Sequence, residues 1–302
     1  MATMTTGTLT GMVDEVVASV AMDKGFYGPS YAAELYFMRA TDQRRERNVS
    51  YNSFDEFTPK LETAMADQDE IVQQFEKTLV QATWAKYYTV SREMVDFNEW
   101  NLIAKLGLAL GNSFRLTIEK RAAALFNDAF AGATYKAEDA LSICNAAHVN
   151  SAGGNSQSNT NTLALDVPGI DTSRGAMRGF LDYRGVEQVD SNPDTLLVPI
   201  GLERAGWEVA KSFYSPANAN HTNNMYDGMF RLLVWNKLTD QTDWFMVDSA
   251  MAKRDQQLVW LWSLGLELYG DGDLFTQTRR EGGTTRFVHG CYDWKWIYGN
   301  HV

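Results

Sequence analysis

The sequence predicts an α+β fold. Three observations carry this. Helix-period apolar spacing is concentrated in the first half, above all over residues 98–130. The apolar segments of the second half are short and rich in aromatic and β-branched residues. The two kinds of segment do not alternate as β-α-β units. At 302 residues, 45% apolar and 22% charged, the chain has ordinary globular composition and length for one large or two smaller domains.

Taken in order, residues 11–23 read as a short amphipathic helix carrying Met12, Val16, Val17 and Val20, broken by Gly25 and Gly28-Pro29. A second helix-like stretch covers 31–39. Residues 41–70 differ: a charge cluster, Arg44-Arg45-Glu46-Arg47, precedes polar chain with Tyr51, Phe54 and Phe57 spaced along it. Its apolar density is too low for a core of its own. It reads either as a solvated loop or as an extended arm that packs on something else. Residues 83–90 favour strand by their aromatic and β-branched content.

Residues 98–130 give the strongest local signal. Ile103, Leu106, Leu110, Phe114, Ile118, Ala122, Leu125 and Ala129 recur every three or four positions and mark one helix face. Asp96 and Glu99 fit a capping box, and Gly132 stands where a glycine stop is expected. At 1.5 Å per residue this helix is about 50 Å long, a spine for other elements. Gly107 and Gly111 allow a close approach or a slight bend.

Beyond it, residues 149–162 are polar and low in complexity and read as a loop. A short helix is expected over 173–181, a buried strand over 196–199, and a helix over 202–213 with Trp207 and Ala210 inside. Strands are expected over 229–235, 244–247 and 258–262. Residues 285–298 alternate as one strand, with Val288, Tyr292, Trp294, Trp296 and Tyr298 on one face and His289, Asp293 and Lys295 on the other.

Composition excludes several function classes. Lys and Arg number 27 against 38 Asp and Glu, a net charge of −11, which disfavours a surface dedicated to gripping phosphate. Two cysteines, Cys144 and Cys291, exclude a disulfide scaffold and a four-cysteine zinc site. No run of about 18 apolar residues is present, so no membrane helix is predicted. Residues 1–9 are Thr-rich without positive charge and read as neither secretory signal nor transit peptide.

Few motifs in the chain carry chemistry. There is no phosphate-binding loop, no Gly-x-Gly-x-x-Gly, no His-Glu-x-x-His, no Cys-x-x-Cys and no Gly-x-Ser-x-Gly. Cys144 and His148 have the i, i+4 spacing of a metal pair, but no second pair accompanies them, so they read as a packed thiol and a loop histidine. Asp271-Gly272-Asp273 resembles the acidic pair that holds a divalent metal in some nucleotide-sugar transferases, and a turn with solvated carboxylates explains it better. Arg279-Arg280-Glu281 and the 44–47 cluster read as solvated charge. No catalytic, cofactor-binding or metal residue is assigned, and no enzyme activity is expected.

A longer succession carries more. Residues 140–150 (Ala-Leu-Ser-Ile-Cys-Asn-Ala-Ala-His-Val-Asn) are followed by an Asn/Ser/Gly loop with Ser158-Asn159, then Gly175-Ala176-Met177-Arg178-Gly179-Phe180 and Asp182-Tyr183-Arg184-Gly185. Leu196-Leu197-Val198-Pro199-Ile200-Gly201-Leu202-Glu203, Ser215-Pro216-Ala217-Asn218-Ala219-Asn220 and Trp244-Phe245-Met246-Val247-Asp248 come next. Ser91-Arg92-Glu93 precedes the long helix, and Tyr292-Asp293-Trp294-Lys295-Trp296-Ile297 closes the chain. In order and spacing, over residues 70–302, this resembles the major capsid proteins of tailed bacteriophages, in particular the Mu-like major head subunit branch, which have the Hong Kong 97-type fold.

The resemblance implies an N-terminal arm over 1–47, an extended β-hairpin loop over 48–95 lying on a neighbour, a peripheral domain over 96–131 and 251–302, and an axial domain over 132–250. It implies a head protein that self-assembles into hexamers and pentamers of an icosahedral shell around double-stranded DNA, without sequence-specific contacts and without a membrane. Scaffold, portal and decoration proteins are the further partners it implies, the virion its place, and the host cytoplasm its site of assembly. Relatives carry a cleaved N-terminal scaffolding segment, so this chain is expected to be trimmed or served by a separate scaffold. Lys60 lies in the loop, but no cross-link partner is singled out. A cellular encapsulin-like nanocompartment shell is the alternative, and a metal-dependent enzyme using Asp271 and Asp273 the third reading.

Overall fold

The computed structural model describes residues 30–302 apart from 52–53, 55, 64, 69–70, 98–99, 150–155, 184, 186–187, 215–222 and 274. The expected helix over 11–23 lies outside the described residues. Among the described residues no helix is long and apolar enough to cross a membrane.

The chain starts with helix α1 (Tyr31–Leu35), capped by Ser30, whose hydroxyl accepts from Ala33 N. The helix expected over 31–39 stops here. Strand β1 (Phe37–Ala40) replaces its second half, because the edge of a later strand offers a parallel partner through Phe37↔Val259 to Ala40↔Trp262. Tyr36 anchors the change of direction: it is buried and donates its hydroxyl to Ala122 O at 2.8 Å.

Strands β2 (Arg45–Tyr51) and β3 (Gln73–Val80) form a separate antiparallel ribbon. Strand β4 (Ala82–Ser91) then enters a four-stranded sheet of order β1-β9-β10-β4, completed by β9 (Leu258–Asp273) and β10 (Thr278–Cys291). After helix α2 (Arg92–Asp96) comes the spine, α3 (Trp100–Asn127). Asp96 closes α2 and pairs with Arg92 at 3.3 Å, and Glu99 of the expected capping box lies outside the described residues. The spine ends three residues early. Asp128 draws in the amides of Ala133, Thr134 and Tyr135 at 2.7–2.9 Å, and Gly132 takes φ +60° as the stop.

The spine's predicted face is its buried face. Ile103, Ala122, Leu125 and Ala129 are fully buried, and Leu110 and Phe114 nearly so. The tryptophans Trp260 and Trp84 and the ring of Phe287 line the sheet beneath it.

A second sheet has the order β5-β11-β8-β6-β7, from β5 (Thr160–Asn161), β6 (Thr195–Val198), β7 (Arg231–Val234), β8 (Trp244–Val247) and β11 (Ile297–Asn300). Strands β6 and β8 are buried on both faces, which is why they read as unbroken apolar runs. Leu197, Phe245 and Val247 face the core under the spine, while Leu196, Val198, Trp244 and Met246 face helices α4 (Val167–Arg178) and α5 (Glu203–Lys211). Helix α6 (Ser249–Lys253) follows β8.

Three expectations need correction. Helix α4 begins six residues before position 173, because Asp166 caps it through Gly169 N at 2.7 Å and Pro168 suits its first turn. Trp207 is not inside α5: it is 57% exposed, while Gly206, Val209 and Ala210 face the core. Residues 285–298 are not one strand. The chain leaves β10 at Cys291, turns through Asp293, whose carboxylate accepts from Trp294 N at 2.6 Å, and joins the other sheet at Ile297. The apparent alternation persists across the turn because both flanks are buried, so His289, Asp293 and Lys295 are inside as well.

Candidate assembly interface

The β2–β3 ribbon is fastened to the body at its root and again at its far end, near Ser50 and Phe75. Leu79 packs with Val259, Leu261 and Tyr292, above Gly290, where an added Cβ would lie 2.9 Å from the leucine. Gln81 N donates to Arg44 O at 3.0 Å, and Glu46 accepts from Arg39 and Thr41. Lys77 donates to Lys136 O, and Phe75 meets the ring of Tyr183 at 6.4 Å.

Beneath this contact lies a buried polar cluster. Ser50 of β2 donates to Glu138, Tyr183 donates to Asp293 at 3.2 Å, and Lys295 Nζ sits 3.0 Å from Asp293 Oδ2 and 3.8 Å from the centre of the Tyr183 ring. The ammonium pairs with Asp293, and Glu138 accepts from Ser50. Burial, and then the charge of Asp293, push Glu138 up to about 7, and burial drives Tyr183 far above the usual phenol range. No sequence motif marks this cluster, because its members come from four distant segments.

Between its two strands the chain carries apolar side chains into solvent. Phe57 is 105% exposed and Met65 95%, and Tyr51, Phe54, Leu61 and Ile71 are also exposed. Trp207, Phe213 and Met225, on and after α5, are exposed as well. Large exposed apolar groups of this kind mark surfaces that another chain covers.

The residues singled out by sequence stay apart. Asp273 ends β9, where the amides of Phe275 and Thr276 hold its carboxyl below the usual range. Asp271 lies across from Arg280 in the ladder. Among the described residues the one potential metal-ligating group is instead Asp240, Asp243 and His301, with His301 Nδ1 2.8 Å from Asp243 Oδ1. Cys144 and Cys291 are free, buried thiols, pushed up by burial. His148 spends both ring nitrogens, on Asp139 Oδ2 at 2.6 Å and Asn159 Oδ1 at 3.1 Å, and stacks on Trp294 at 4.2 Å. Arg279 pairs with Glu281, and Arg47 with Glu76. Lys60 is exposed.

Comparison with known proteins places this fold. A family model described as phage capsid protein matches residues 75–300, so the chain belongs to the phage capsid protein family. Its fold is the Hong Kong 97-type fold, and its place is the capsid of the virion. The capsid structure of the cyanophage P-SCSP1u is similar with a TM-score of 0.60 at 9% identity, over 91% of this chain and 89% of that one. A virus-like particle from Pyrococcus furiosus is similar at 0.56 and 10% identity, over 95% and 98%. The capsid of bacteriophage JBD30, decorated with minor capsid protein trimers, is similar at 0.54 and 13% identity, over 70% and 92%. Among curated protein sequences the chain has no match.

Proposed function

We propose that this chain is the major head subunit that closes, through hexamers and pentamers, into an icosahedral shell around double-stranded DNA, assembled in the host cytoplasm. The ribbon is the element that carries the reading: the stretch joining its strands bears exposed apolar side chains with no core of their own, and these need a neighbour to bury them. In this reading the spine and the four-stranded sheet form the peripheral unit, and residues 132–250 with the closing strand β11 the axial unit. The net charge of −11 suits a lining that does not trap packed DNA. The subunit has a structural role and no enzymatic one, and Asp271→Ala is expected to leave assembly unchanged. Scaffold and portal proteins are its further partners. A decoration protein is supported by the minor capsid trimers on the JBD30 shell.

A cellular nanocompartment shell is the second reading, favoured by the likeness to the Pyrococcus furiosus particle over nearly all of both chains. The phage family match weighs toward the virion. Deleting 51–66 tests the main reading: the subunit should fold with a thermal transition near that of the parent and form no complete shells. Each contact loses a modest area, and the loss recurs at every neighbour. Complete shells from the deletion, seen by negative-stain microscopy, would refute it.

A further inference from the structure

Where the ribbon leaves the four-stranded sheet there is a cleft of about 360 Å³ lined by Asp42, Arg44, Gln81, Thr83, Ser263 and Arg286. Arg286 donates to Thr83 Oγ1 at 3.1 Å, and neither it nor Arg44 forms an ion pair among the described residues. Two guanidinium groups, two hydroxyls and one amide thus face one carboxylate. Guanidinium groups select carboxylate or phosphate oxygens.

We propose that this cleft receives carboxylates from the ribbon tip, residues 54–70, of a second copy of the chain. This rests on the reading of the ribbon as an element that docks on a neighbour, and adds where it docks and by what chemistry. Charge complementarity argues for this occupant. Over 54–70 the sequence has six acids (Asp55, Glu56, Glu62, Asp67, Asp69, Glu70) and a single base, Lys60. Glu56, Glu62 and Asp67 are exposed beside Phe57, Leu61 and Met65, so one segment offers both charge and apolar area. The paired strands of seven and eight residues run roughly 25 Å from the root at Arg45 and Val80 to Tyr51 and Gln73, where the acidic segment begins and ends. A nucleic-acid strand is the poorer occupant, because a backbone track needs a run of cations and this cleft has two with Asp42 among them.

The test uses full-length chain and particle yield, with thermal unfolding of each subunit as the folding control. Arg44→Glu/Arg286→Glu should lower shell yield at least tenfold with an unchanged transition, and Arg44→Gln/Arg286→Gln should lower it less. Glu56→Lys/Glu62→Lys/Asp67→Lys should lose shells to a similar degree. Combining the two charge reversals in one chain should restore yield to within a few-fold of the parent. Normal yield from both cleft variants would overturn the proposal, and if deletion of 51–66 still abolished shells, the docking ribbon itself would stand. Loss without rescue would overturn it too. So would a double-stranded oligonucleotide that binds the parent subunit and not Arg44→Glu/Arg286→Glu, since phosphate would then be the occupant.

Discussion

Glu138 and His289 place two buried titrations of opposite sign in one subunit. Glu138 is raised from 4.5 to about 7, so the folded state holds its proton more tightly than the unfolded chain. Its contribution is full below about 4.5, falls as pH rises, and is gone above about 7, a change on the order of 1–3 kcal/mol. His289 is lowered from 6.5 to about 4 by burial and then by the charge of Arg121, while it stacks on Trp260 at 4.9 Å. Its contribution is full above 6.5 and lost as pH falls toward 4. Between about 4.5 and 6.5 the two slopes oppose each other, so stability should be nearly flat there and fall on either side. Thermal unfolding of Glu138→Gln from pH 5 to 8 should show a flatter neutral limb and a higher midpoint at pH 8 than the parent. The amide keeps an acceptor for Ser50 and removes the second buried charge. An unaltered pH profile would show that Glu138 does not titrate in this range.

The spine is held by one apolar face and one stop. Phe114 lies within 6.2 Å of Trp262, ring centre to ring centre, and Leu110 is buried one turn earlier. Phe114→Asp or Leu110→Asp would bury a carboxylate without a partner, at several kcal/mol, and soluble folded subunit should be lost. Normal assembly of either variant would contradict the assigned face. Gly132 is demanding for two reasons: φ is +60°, and an added Cβ would lie 2.7 Å from Ser142 Cα. Gly132→Ala should cost more than about 1–2 kcal/mol in urea unfolding, since the left-handed backbone alone costs that much and the backbone of Ser142 has to move as well. The ribbon shows the opposite balance. Its root is buried through Leu79, and its tip depends on a neighbour.

In the whole molecule, β4 and the ribbon tip are neighbours in sequence with different dependence on assembly. β4 is paired to β10 along its full length, from Ala82↔Phe287 to Ser91↔Thr278. Hydrogen exchange should therefore find residues 82–91 protected in both isolated subunit and shell, and residues 54–68 protected only in the shell. Equal protection of 54–68 in both states would place that segment in the subunit's own core. The second core, between the five-stranded sheet and helices α4 and α5, is closed within one chain and should be indifferent to assembly.

The sequence alone determined whatever depends on local period and composition. The spine's face from Ile103 to Ala129, the glycine stop at 132, the buried runs at 196–198 and 244–247, and the surplus of acid were legible because each follows from residues a few positions apart. The succession of motifs over 70–302 was enough for the capsid resemblance. Tertiary structure decided what depends on partners far along the chain. Residues 37–40 became strand because Val259 to Trp262 offered an edge. Trp207 turned outward because Gly206 and Ala210 already filled the inner face, and the run after Thr285 broke at Asp293 to join a second sheet. The Ser50–Glu138–Asp293–Lys295 cluster and the Arg44–Arg286 cleft were invisible in sequence for the same reason: a buried charge or a cleft is made by distance in space, and no spacing along the chain encodes it.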